Sequence, residues 1–113
     1  MSKPNKLADG AIAVYRAYAP DGHLVYVGIT DDPKRRILRE HRARSRWYKL
    51  AHRIDVRVFP DRETALRVEA KAWHSEVPSW PQECDERYYD ESFIEPTPID
   101  QYEIDLTPRK LFD

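Results

Sequence analysis

Two tyrosines in short apolar runs, Tyr15 and Tyr26, together with Arg36, His41 and Glu69, are the residues here best suited to chemistry. Cleaving a phosphodiester needs a nucleophile deprotonated near neutral pH, neutralisation of the charge building on the phosphate, and help for the leaving oxygen. A phenol titrates at about 10 in water, so Tyr15 serves as a base only beside a cation. Arg36 is permanently charged and can grip a phosphate oxygen bidentately, which suits transition-state stabilisation. Arg35 is the alternative, one residue of register away. Glu69 shares a helical turn with Ala65 and Ala72, whose small side chains leave room for a hydrated hard cation such as Mg2+ or Mn2+. His41 can relay a proton or donate to phosphate. Each residue also has an ordinary reading, since strand tyrosines pack and helix arginines, glutamates and histidines commonly face water.

The elements that must position these groups follow from the spacing of apolar residues. Ala11 to Tyr18 and His23 to Gly28 read as two strands joined by the turn Ala19-Pro20-Asp21-Gly22, a hairpin. Ile12, Val14, Arg16 and Tyr18 share one face of the first strand, while Ala13, Tyr15 and Ala17 share the other. In the second strand Leu24, Tyr26 and Gly28 alternate with Val25 and Val27. Gly28 either admits a close backbone or substrate approach or supplies a positive φ. Asp32-Pro33 starts a helix that runs to about Ala43, with one or two further turns between Ser45 and Ala51. Arg53 to Phe59 alternates as a half-buried strand, with Ile54, Val56 and Val58 on one face. Asp61 caps a second helix whose apolar stripe is expected to be Leu66, Ala70, Trp73 and Val77, stopped by Pro78.

The triplets Ala13-Val14-Tyr15 and Tyr26-Val27-Gly28, joined by a short hairpin and followed by an arginine-rich helix, resemble the GIY-YIG nuclease family. Arg36, ten residues after Tyr26, matches the family's catalytic arginine, and Glu69 on the second helix matches its metal-binding glutamate. The resemblance spans roughly Ala11 to Trp80. It implies a metal-dependent endonuclease using Tyr15, Tyr26, Arg36, His41 and Glu69, with Glu69 as the metal ligand. Two positions depart from the pattern. Pro81 stands where the family often has an asparagine, and His41 follows Arg36 by five residues where relatives commonly place a histidine four residues on. The first departure leaves open an inactive module that only binds nucleic acid.

Composition bounds the rest. The 113 residues leave room for one small domain, divided here into a 1–10 N-terminal segment, an 11–81 nuclease-like domain and an acidic 82–113 extension. The expected architecture is α+β, a small three-stranded, largely antiparallel sheet flanked by helices in the order β-β-α-β-α. No apolar stretch approaches the roughly 20 residues of a membrane span, and no secretory leader is evident, so a cytoplasmic setting is expected. A single cysteine, Cys84, excludes an internal disulfide and a Cys-rich zinc site, and neither His52 nor His74 lies at a spacing that joins it to Cys84 in a metal site.

Residues up to Pro81 carry sixteen Lys and Arg against ten Asp and Glu, a net +6, while the remainder carries three against ten, a net −7. Arg35, Arg39, Arg42, Arg44, Arg46 and Lys49 concentrate the positive charge and, with Gly28, form the candidate nucleic-acid surface, DNA being the expected partner. A solvated helix face is the plainer reading of such a run. Trp47 and Tyr48 either stack on a base or anchor a short helix to the core. The extension either screens the nucleic-acid groove or closes a sheet edge. A protein-interaction domain whose tail is the binding element is the remaining class, and the sequence leaves the oligomeric state open.

Overall fold

The structure, a computed structural model, describes residues 7–80 and 84–106. Alternating β-branched and aromatic residues build β1 (Ile12–Tyr18) and β2 (Leu24–Thr30), which pair antiparallel as the expected hairpin. β3 (Arg53–Phe59) pairs antiparallel with the other edge of β1. The sheet has four strands, where three were expected. Asp100–Asp105 forms β4 against β3, giving the order β2-β1-β3-β4. Its pattern is mostly polar, so the sequence does not advertise it; only pairing with β3 makes it a strand. The extension thus takes the second of its two expected roles and closes a sheet edge.

Both faces of β1 are buried, so its side chains divide as the period of two requires. Ala13, Tyr15 and Ala17 enter one cluster with Ile37, Trp47 and Val56. Ile12 and Val14 enter the other with Val27, Phe59 and residues of the second helix. β2 departs from simple alternation. Tyr15 lies opposite Gly28 and Ala17 opposite Tyr26, but Tyr18 lies opposite Leu24, so the register slips by one residue between Ala17 and Tyr18. The bulge puts Leu24 and Tyr26 on opposite faces, not on one face as strict alternation predicts.

The second helix, α2 (Arg62–Ser75), starts where expected, with the Asp61 carboxylate accepting the Thr64 N–H at 2.8 Å. Its inward stripe differs from the expected one. Ala65, Val68 and Ala72 face the sheet, while Leu66 and Trp73 are half-buried and Val77 is 65% exposed. Small residues win that face because they let the helix axis approach β1 and β2 closely, with Val14 and Val27 filling the gap. Val77 lies beyond the helix at φ 49°, a left-handed value uncommon for a β-branched residue. Among the described residues no helix is long and apolar enough to cross a membrane.

The largest departure is the helix after β2. Lys34–His41 winds as a π-helix, continued by one α-turn, α1 (Arg42–Arg44), and a 3-10 turn at Arg46–Lys49. Its start follows the sequence, with the Asp32 carboxylate accepting the Arg35 N–H at 3.2 Å. The wide turn explains the five-residue spacing from Arg36 to His41. In an α-helix residues five apart diverge by about 140°. A π-turn, hydrogen bonded five residues on, returns both to one side and so absorbs the extra residue.

Candidate active site

Tyr15 and Tyr26 lie on the same face as a diagonal cross-strand pair, ring centroids 6.0 Å apart. The Tyr15 ring covers the backbone of Gly28. A Cβ built on Gly28 would stand 2.5 Å from Tyr15 Cζ, so the glycine makes room for the phenol. Gly28 does not have a positive φ, which corrects that one of its expected roles. Gly28→Ala is expected to cost about 1–3 kcal/mol, by the logic of overpacking, and to displace the Tyr15 ring. A melting temperature equal to the parent's would refute it.

His41, 4% exposed, closes the group from the π-helix. Its Nε2 lies 2.6 Å from Tyr15 Oη and its Nδ1 2.6 Å from Ser45 Oγ. Burial, and then the Arg36 guanidinium, push the imidazole down to about 4, so the ring is neutral at pH 7. Burial, and then the neighbouring Tyr26, push the Tyr15 phenol far above its ordinary value, against the pull of Arg36. In the tautomer that carries its proton on Nδ1, Tyr15 donates to Nε2 and the Nδ1–H donates to Ser45 Oγ; the other tautomer reverses both bonds. Ser45 was not singled out from the sequence, although its place four residues after His41 is a helical neighbour's.

Arg36, not Arg35, faces the two phenols. The Arg36 guanidinium acts on both phenols and pairs at 3.2 Å with Glu40, whereas Arg35 turns to Asp32 at 4.0 Å. An open cleft of about 480 Å³ runs past Tyr26, Arg36, His41 and Ser45, with Arg44, Arg46, Trp47 and Trp80 completing its walls. Arg35, Arg39, Arg42 and Lys49 are exposed but do not line this cleft, so the expected cationic surface divides into a cleft set and an outer set. Trp47 and Tyr48 are each 2% exposed, and Trp47 stacks on Tyr26 at 4.5 Å with planes 9° apart. The ordinary reading holds for both: they hold the chain after the π-helix against the sheet. Trp80 reaches the cleft because its N–H pairs with the Val25 carbonyl at 2.9 Å, a contact invisible in one dimension.

Glu69 stands half-buried on α2, close enough to raise the proton affinity of Tyr26. Burial, and then Asp85, push its carboxyl up to about 7. Among the described residues it makes no hydrogen bond or ion pair. A half-buried carboxylate with no cation beside it fits a divalent-metal ligand, because a metal is what would offset its desolvation.

The GIY-YIG catalytic domain matches residues 11–76, which carry β1 through α2 and every residue of the Tyr15 constellation. The chain belongs to the GIY-YIG family. That family is one of nucleases acting on nucleic acid. No curated protein and no solved structure matches the chain. The position of the family asparagine, Pro81, lies outside the described residues.

The raised carboxyl of this GIY-YIG domain has a stability consequence. The folded state holds the Glu69 proton more tightly than the unfolded chain, so the group opposes folding as pH rises. The penalty is absent below about 4.5, grows towards 7 and is complete above it. Glu69→Gln is therefore expected to stabilise the metal-free protein at pH 8 by on the order of 1–2 kcal/mol, discounted for partial exposure, and not at pH 4. Thermal unfolding at the two pH values checks this, and an equal effect at both would refute it.

Proposed function

We propose that the protein is a metal-dependent endonuclease that hydrolyses phosphodiester bonds of DNA. The observation that carries this reading is a basic cleft lined by Arg36 and His41, with the buried Tyr15 phenol hydrogen bonded to His41 behind it and Glu69, without a partner among the described residues, near Tyr26. Arg36 holds a phosphate oxygen and offsets the charge that builds on it. Tyr15 cannot remain a lone base, because its phenol holds its proton at neutral pH. The Tyr15–His41 pair does the work: the phenol takes a proton from the attacking water as its own passes 2.6 Å to His41 Nε2. Ser45 holds the other ring nitrogen, and its Oγ can accept from Nδ1–H in the tautomer this transfer requires. Tyr26, stacked on Trp47, supports the phosphate from the next strand.

Glu69 would hold Mg2+ or Mn2+, which supplies charge neutralisation and acidifies bound water. Arg44 and Arg46 draw the backbone into the cleft and the exposed Arg35, Arg39, Arg42 and Lys49 add sequence-independent attraction. The test is cleavage of labelled plasmid and branched DNA with Mg2+ or Mn2+, run with a chelator control and with Glu69→Gln. Metal-dependent cutting lost in the variant supports the reading. DNA binding without cutting would make the chain a silent binding module. No DNA binding at physiological salt would leave a protein-interaction domain.

A further inference from the structure

His74, Cys84 and Glu86 are unconnected in the sequence reading, yet the fold brings them together. His74 ends α2, Glu86 opens a 3-10 turn at Glu86–Tyr88, and Cys84 stands just before that turn. Their donor atoms, one nitrogen, one sulfur and one carboxylate oxygen, all lie within 4.8 Å of one another. His74 Nε2 is 2.9 Å from Glu86 Oε2, and Cys84 Sγ is 3.5 Å from Glu86 Oε1. A tetrahedral zinc ion with bonds of about 2.0–2.3 Å spaces its ligands by roughly 3.5 Å. With every donor pair within 4.8 Å, one ion could bring the three residues to that spacing by small side-chain movements.

The surroundings favour the same answer. Tyr89 stacks on the His74 imidazole at 3.8 Å, which fixes the ring plane and leaves Nε2 aimed at the cluster. The donor set is mixed nitrogen, sulfur and oxygen, which suits a borderline-soft ion and not the hard, all-oxygen shell that Mg2+ requires. The three residues come from both sides of the undescribed residues 81–83, so an ion here would pin the chain after α2 to the helix that carries Glu69.

We propose that His74, Cys84 and Glu86 bind one zinc-class divalent ion, with water in the fourth position, at a site separate from that of Glu69. Binding forms a metal–sulfur bond at Cys84 while its S–H bond breaks, the proton passing to solvent. Its role is to hold the segment from Cys84 to Tyr89 against α2. This inference does not rest on nuclease activity, and its test does not read activity.

The full chain, stripped with chelator, is titrated with Co2+ and followed by absorption, then competed with Zn2+. The expected result is one equivalent bound with a thiolate-to-cobalt charge-transfer band and tetrahedral ligand-field bands, both displaced by Zn2+. Cys84→Ser should abolish the charge-transfer band. His74→Gln should weaken binding by more than about 100-fold, beyond the loss that even an outer partner can cause. Glu69→Gln should leave the band intact. A parent spectrum without the thiolate band, a band that survives Cys84→Ser, or one lost with Glu69→Gln would overturn the proposal.

Discussion

A chain ended after Trp80 is expected to be unfolded at room temperature, although it keeps the whole family-matched segment. Three losses combine. β4 leaves the edge of β3, Leu106 (2% exposed) leaves the core, and Phe93, Tyr102 and Ile104 leave its margins. At roughly 1–3 kcal/mol per apolar side chain this is on the order of 5 kcal/mol. The third loss is electrostatic. Arg16, 3% exposed in the middle of β1, donates to Glu95 at 2.8 Å and to Glu76 at 3.0 Å, while Arg57 donates to Glu95 at 2.6 Å. Removing one partner of a buried ion pair costs about 3–5 kcal/mol, and less here because Glu76 stays with Arg16 and Asp55 with Arg57. Together these match the whole stability of a small domain, about 5–15 kcal/mol.

Circular dichroism and thermal unfolding of the truncated chain check this, and a cooperative transition would refute it. Glu95→Gln alone should stay folded and lose about 1–3 kcal/mol, because Glu76 still faces Arg16 and an amide oxygen still accepts. The same geometry engages one acid of the extension away from the cleft. Glu95 meets Arg16 on the α2 face of the sheet, opposite the face that carries Tyr15. Truncation would thus report loss of fold before any change in DNA affinity.

The second large effect is expected at Tyr15 and Arg36. Arg36→Ala should lower DNA cleavage by about 10²–10³-fold, the scale for losing one preorganised charge partner. Tyr15→Phe should lower it by about 10²–10⁴-fold, the scale of general acid–base catalysis. A second readout separates this site from a surface contact. Arg36 is the second cause, after burial, that holds His41 down to about 4. In Arg36→Ala the His41 titration should move upward yet stay below the ordinary histidine value, since burial persists. A proton NMR titration of His41 measures it. An unmoved His41 would show that Arg36 does not face the Tyr15–His41 pair, whatever the cleavage rate.

Much of this architecture is legible in one dimension because it rests on local rules. The face assignment in β1 follows from a period of two, and the start of α2 from the Asp61 cap. Tyr15, Tyr26, Arg36 and Glu69 could be picked out because ordered spacing carries them. Other features depend on contacts between distant segments. The bulge that brings Tyr26 to the Tyr15 face appears only as β2 closes on β1. The π-helix is set by the need to bury both Ile37 and His41 against the sheet while Arg36 reaches the cleft. The mostly polar β4 has no strand signal until β3 offers an unpaired edge.

Charge shows the division most clearly. The sequence determined how many acids and bases the chain holds and that they separate into a basic domain and an acidic extension. Only the tertiary structure decided that Glu95 neutralises a buried Arg16 while Glu69 has no partner among the described residues, and that His74 meets Cys84 and Glu86. The physical reason is that a charge or a ligand is defined by what lies within a few ångströms of it. Those neighbours come from segments whose sequence separation says nothing about their distance.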